Sequence, residues 1–129
     1  MHWEYNKTID PENNFGFIYI ITHKKTKKAY IGCKQYIVTI NKKKVESNWR
    51  IYTGSNKTLN EDIKNMGKDQ FQFNIIGEYK NKRSLRYYEC YYQMINHVLT
   101  EKLEGTDEPA YYNNYIGGRF ARPVQDPIE

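Results

Sequence analysis

Cysteine is scarce in this chain of 129 residues: Cys33 and Cys90 are its two, and no C-x-x-C spacing joins them. They cannot build a zinc site by themselves, and they read as two reduced thiols of a cytosolic protein rather than a disulfide. Histidine is sparse as well. His2, His23 and His97 are scattered along the chain without an H-x3-H metal pair, and they read as structural or surface residues. Long apolar runs are missing: no stretch nears the roughly twenty residues a membrane-spanning helix needs. The opening MHWEYNKTID lacks the charged-then-apolar layout of a secretory leader. Internal repeats, low-complexity tracts beyond short lysine runs, and domain linkers are also not seen. These absences leave one ordinary domain, with no membrane association and a cytoplasmic location expected, large enough to bury a core without staples.

What is plentiful is positive charge and tyrosine. The formal net charge is +5 and it is unevenly placed. Residues 1–100 hold 17 Lys/Arg against 9 Asp/Glu, while residues 101–129 hold 3 against 6. A basic body suits a polyanionic partner, nucleic acid above all, and equally suits a plain soluble surface. Charge alone does not choose. Tyrosine occurs 13 times. Its ring packs and its hydroxyl hydrogen-bonds, so most tyrosines should be core and a few can touch nucleotides or take part in chemistry.

Periodicity orders the chain. Residues 1–14 are polar and read as an arm or loop that Trp3 and Tyr5 could dock onto the body. FGFIYIIT (15–22) and AYIGCK (29–34) are β-branched and aromatic, two strands of a hairpin around the charged turn HKKTKK. QYIVTI (35–40) and VESNWRIY (45–52), with NKKK between, read as a second hairpin. Residues 57–66 read as a helix with a Thr58–Glu61 capping box, an apolar face of Leu59, Ile63 and Met66, and Gly67 as its stop. FQFNIIGEY (71–79) alternates as a strand. Ser84 is the expected cap of a long helix reaching about Leu103, with Leu85, Tyr88, Tyr92, Ile95 and Leu99 as its stripe. EGTDEP breaks it, YYNNYIGG (111–118) is irregular or extended, and 119–129 reads as a surface tail. The expected fold is α+β, a small antiparallel sheet flanked by helices.

Two positions draw chemical interest. The first hairpin carries Phe17-Ile18-Tyr19 on one strand and Tyr30-Ile31-Gly32 on the other, so two phenols can reach one face of the sheet, and Gly32 lets a backbone approach a phosphate. Glu89 falls on the apolar stripe of the long helix, four after Leu85 and three before Tyr92. Carboxylates are rarely placed there unless paired or bound to metal; an ion pair with Arg86 is the plain alternative.

FGFIYII followed by KKAYIGCK resembles the paired signature of the GIY-YIG nucleases. The resemblance continues through YTGSNKTLNEDIKNMG, the F-x-F-N-I-I strand, the helix with RYYECYYQMI, and YYNNY near the end, over about 15–116. Phe17 stands where the signature has its first glycine, with Gly16 beside it. The second hairpin stands where the family has a helix with an arginine, and Arg50 follows Trp49. The domain is expected to span 15–118. The resemblance implies a metal-dependent DNA endonuclease: Tyr19 as general base, Tyr30 positioning water or phosphate, Glu89 as the one acidic ligand of Mg²⁺ (Mn²⁺ as alternative), and Arg50 stabilising the charged phosphate, with Lys34 and Lys57 as rivals. Asn113 or Asn114 occupies the family's polar terminal position. Double-stranded DNA is the implied partner, contacted by Lys34, Lys42, Lys43, Lys44, Arg50, Lys57, Asn113 and Asn114. Two strand breaks need two sites, which a dimer or tetramer would supply. The competing reading is a non-catalytic nucleic-acid-binding module, which predicts binding without Mg²⁺ and no need for Glu89. A third, an interaction protein whose tyrosines only pack, predicts little salt-dependent DNA affinity.

Overall fold

Strands form where apolar side chains alternate or fill both faces, and the central one does the latter. In the computed structural model, which describes residues 1–117, Gly16–His23 (β2) is buried along nearly its whole length. It pairs antiparallel with Ala29–Gln35 (β3) on one side and with Phe71–Tyr79 (β6) on the other. A short strand, Trp3–Glu4 (β1), joins β6 in parallel, giving a mixed four-stranded sheet in the order β1-β6-β2-β3. The docking expected of Trp3 and Tyr5 is made through this strand, with Tyr5 packed against the core. Trp3 is 5% exposed, donates its indole N–H to the Trp49 carbonyl at 2.7 Å, and contacts the rings of Phe17, Tyr19 and Phe73.

Ile37–Ile40 (β4) and Lys43–Glu46 (β5) form the second hairpin as a separate two-stranded ribbon. Asn41 and Lys42 both have positive φ, 51° and 63°, as a two-residue turn matched to strand twist requires. The return strand ends at Glu46 rather than running to 52, because Ser47 and Trp49 turn the chain inward and Trp49 enters the core.

Helix α1 spans Lys57–Met66 as the periodicity predicts, but Asn56 caps it, its side chain accepting from Leu59 N–H. The Thr58–Glu61 box is not the cap. Leu59 is fully buried, Ile63 half-buried and Met66 exposed; Leu59→Ala should cost about 2–5 kcal/mol. Helix α2 spans Lys82–Ile95, capped by Asn81 rather than Ser84 and eight residues shorter than the expected end at Leu103. It stops because Asn96 folds its side-chain amide back onto the Tyr92 carbonyl and His97 takes φ 53°. Ile95 and Leu99, expected on the stripe, are exposed. No helix among the described residues is long and apolar enough to cross a membrane.

Two apolar layers sandwich the sheet. One gathers Trp3, Phe17, Tyr19, Ile21, Tyr36, Trp49, Leu59 and Phe73; the other gathers Ile18, Ile31, Tyr79, Leu85, Tyr88 and Val98 beneath α2. A bulge separates their registers. Ile18 pairs with Gly77 but Tyr19 pairs with Ile75, leaving Ile76 unpaired. The extra residue reverses the alternation of β6, so Tyr79 stacks on Tyr88 of α2 while Glu78 faces Tyr36 in the other layer. Cys33 and Cys90 are free thiols. Gly118 and the expected tail, 119–129, lie outside the described residues.

Candidate active site

β3 is an edge strand, and its outer edge decides where a cleft can open. An edge leaves backbone groups to be satisfied by something other than a strand. After α2 the chain returns to lay 110–113 along it: Ala29 N–H donates to the Ala110 carbonyl at 2.9 Å and Tyr112 N–H to the Ala29 carbonyl at 2.7 Å. One residue further on, the Asn113 side chain replaces the backbone. Its Oδ1 accepts from Ile31 N–H at 3.1 Å and its Nδ2 donates to the Ile31 carbonyl at 2.9 Å, which Gln93 Nε2 also reaches at 2.9 Å. Both ends of the Asn113 amide are therefore engaged in closing the sheet edge, and the side chain is buried. Asn114, beside it, is exposed.

Beyond this closure a cleft of about 580 Å³ opens. Tyr30 and Cys33 come from β3; Ser55, Asn56 and Lys57 from the start of α1; Arg86, Glu89 and Gln93 from α2; Asn113, Asn114, Tyr115 and Gly117 from the returning segment. The spacing 86, 89, 93 keeps three α2 side chains on one face. The fold thus brings together Tyr30, Lys57, Glu89, Asn113 and Asn114 of the residues read from sequence.

Among the described residues Glu89 is the one carboxylate in this lining. Burial raises its carboxyl above the ordinary value of 4.5, against the pull of the Cys33 thiol and backbone N–H and of the Arg86 guanidinium. The Cys33 thiol is itself pushed far up by burial and by Glu89, so it stays protonated beside the carboxylate and is not a soft thiolate ligand. Among the described residues no group of three or more His, Cys, Asp or Glu could enclose a metal. A single oxygen donor in an open, polar cleft does not fit a closed zinc site. It fits a hard divalent cation that keeps most of its water, as Mg²⁺ does.

Tyr19 is placed differently from the expectation. It is 1% exposed and lies behind the cleft. Burial, then the neighbouring Tyr52 and Tyr30, hold its phenol well above the usual range, which opposes its acting alone as a base. Its crowding is tight: a Cβ added at Gly32 would sit 2.6 Å from Tyr19 Oη, so only glycine fits there. Behind the wall the Tyr52 ring packs edge-on against Tyr19, centroids 6.1 Å apart, and at the wall Ser55 Oγ lies 3.1 Å from Tyr30 Oη.

The remaining candidates lie elsewhere. Arg50 is not in the cleft: its Nε is paired with Glu46 Oε1 at 2.8 Å and its guanidinium lies 4.6 Å from the Trp49 ring centroid. Lys34 Nζ sits 4.1 Å from the Tyr52 ring centroid, and burial lowers its pKa. Lys42, Lys43 and Lys44 are exposed at the tip and return strand of the hairpin. Four residues escaped the sequence reading as site groups: Tyr52, Ser55, Arg86 and Gln93. Arg86 and Gln93 were within reach of it, since they stand three before and four after Glu89 on a helix. Tyr52 and Ser55 carry no such signal, because only the folded loop sets them between two tyrosines.

The family model described as "Putative endonuclease segE, GIY-YIG domain" matches residues 3–116. No curated protein and no solved structure matches the chain.

Proposed function

The chain belongs to the GIY-YIG endonuclease domain family, and from that premise we propose that it hydrolyses phosphodiester bonds of double-stranded DNA with one Mg²⁺ held on Glu89. Membership in a nuclease family implies a nucleic-acid substrate; the metal, the duplex and the residue roles are the proposal. The observation that carries it is the position of Glu89: among the described residues it is the one carboxylate of a polar cleft that it shares with Tyr30, Lys57, Arg86 and several amides.

When bound, the cation would polarise the scissile phosphate, stabilise the leaving 3′-oxygen and favour an ionised hydroxyl nearby. Tyr30 meets the attacking water, since its phenol is at the cleft wall and Ser55 holds its hydroxyl. Tyr19 and Tyr52 pack on one another in the layer behind that wall. Arg86 and Lys57 offset the charge that builds on the phosphate, the guanidinium by paired hydrogen bonds and the ammonium as a point charge. Arg50, given this role by the sequence, leaves it to Arg86. Asn113 keeps the sheet edge closed, and Asn114 is free to meet the substrate. One cleft breaks one strand, so a double-strand break would take two copies.

The test is supercoiled plasmid incubated with the purified protein in Mg²⁺ or in EDTA. The proposal expects nicking or linearisation in Mg²⁺ and none in EDTA. Salt-sensitive retention of plasmid without cutting in either would support the binding-module reading instead.

A further inference from the structure

A second concavity, about 820 Å³, lies where the β4–β5 hairpin faces the loop before β2 and the start of α2. Lys44, Lys80 and Lys82 all enter its lining, and among the described residues one carboxylate, Glu12, joins them. The three lysines come from separate parts of the chain, so the fold and not a sequence run converges them. All three are exposed, and Lys42 and Lys43 stand exposed on the same hairpin. Like charges gathered around a wide groove repel one another and gain from an anion that spans them. Separate ammonium groups spread over such a width suit an extended polyanion better than a small one held by convergent donors.

The groove is not isolated from the cleft. Lys82 lines the groove, while Arg86, Glu89 and Gln93 line the cleft. The intervals of four, three and four residues set these side chains on one face of α2. From Lys82 to Glu89 the helix climbs about 10 Å at 1.5 Å per residue, the axial length of about three base pairs at 3.4 Å each.

We infer that this basic groove is a second contact site for the substrate's phosphodiester backbone, joined to the cleft along α2, so that the protein holds duplex DNA several base pairs to one side of the scissile bond. The inference rests on the endonuclease reading for the identity of the polyanion, and its test does not depend on cutting.

The experiment follows fluorescence anisotropy of labelled 10- and 30-base-pair duplexes in EDTA over a range of salt, using the full chain. Each phosphate neutralised adds about 0.9 to the slope of log affinity against log salt. For Lys44→Gln with Lys82→Gln, the slope on the 30-base-pair duplex should fall by about 2, and the affinity gained on lengthening the duplex should shrink. Lys7→Gln with Lys64→Gln, exposed and outside both concavities, should change neither. An unchanged slope in the first pair, or an equal loss in the second, would overturn the groove. A protein that shows the expected slope change yet never cuts in Mg²⁺ refutes the nuclease and keeps the groove. One that cuts but shows no slope change does the reverse.

Discussion

Glu78 is next to last in β6 and Glu89 lies in the middle of α2, and both carboxylates are largely withdrawn from water. Around Glu78 the fold supplies strong donors: Tyr36 Oη at 2.8 Å and Asp10 N–H at 2.9 Å, both to Oε2. Around Glu89 the Cys33 thiol and N–H and an exposed arginine favour the charged form, but burial outweighs them and the carboxyl rises. The first carboxylate is matched by its surroundings. The second is left with capacity to spare on the wall of an open cleft. A small domain has only a few kcal/mol of stability, so an under-compensated carboxylate is a burden, and such burdens concentrate where a site needs them. Burial alone would not have separated these two residues; the donors around each do.

The largest effect that could sharpen this contrast is on stability. Glu78→Ala strands the Tyr36 hydroxyl and the Asp10 N–H, and should cost about 3 kcal/mol. Glu89→Gln, in EDTA, should hold or raise the melting temperature, because it removes a poorly solvated charge and keeps the shape. Chemical denaturation of both variants checks the pair, and equal losses would erase the distinction. Next in size is the layer behind the cleft. Tyr52→Phe keeps the ring that packs on Tyr19 and carries Lys34 and removes only its hydroxyl. It should slow single-turnover cutting about tenfold, about 1.4 kcal/mol of barrier, with DNA affinity held; an unchanged rate would reduce Tyr52 to packing.

The smallest effect is the pH dependence of stability, where two groups act in opposite senses. The Glu89 carboxyl has its folded value raised above 4.5. Folding then binds protons, so this stabilisation is complete below the unfolded value and is lost as pH rises through the folded one. His2 is the reverse. Burial lowers its imidazole from 6.5 to about 4, so its contribution is complete above 6.5 and is lost as pH falls toward 4. In melting curves collected in EDTA, Glu89→Gln should remove the first slope and His2→Phe the second. Slopes that survive the substitutions would mean that other groups set them.

Much of this was legible in the sequence. The strands 15–22, 29–34 and 71–79 and the helix 57–66 announce themselves by period, and Glu89 announces itself by interrupting a period. What was hidden depends on contacts between distant segments. Trp3 reads as a docking residue, but that it docks as a strand appears only when β6 offers it a partner. The Ile76 bulge, which sends Glu78 and Tyr79 to opposite layers, leaves no mark in an alternating run. Both helix caps were misread for a shared reason: Asn56 and Asn81 each stand near a later Thr or Ser that also suits a cap, and propensity ranks them alike. Arg50 was chosen for its place after the signature, yet Glu46, four residues earlier, holds it on the hairpin. Arg86, in the middle of a helix, looked like an ion-pair partner and is instead a wall of the cleft.

The most direct test of the central claim is single-turnover cleavage of a labelled duplex by Glu89→Gln, with protein in excess and Mg²⁺ saturating, beside the unaltered protein. Excess protein removes binding from the rate and leaves the chemistry. Glu89 as the metal-holding carboxylate predicts a loss of about a thousandfold or more, about 4 kcal/mol, with the melting temperature in EDTA not lowered. Cutting by the variant at close to the unaltered rate would contradict the account.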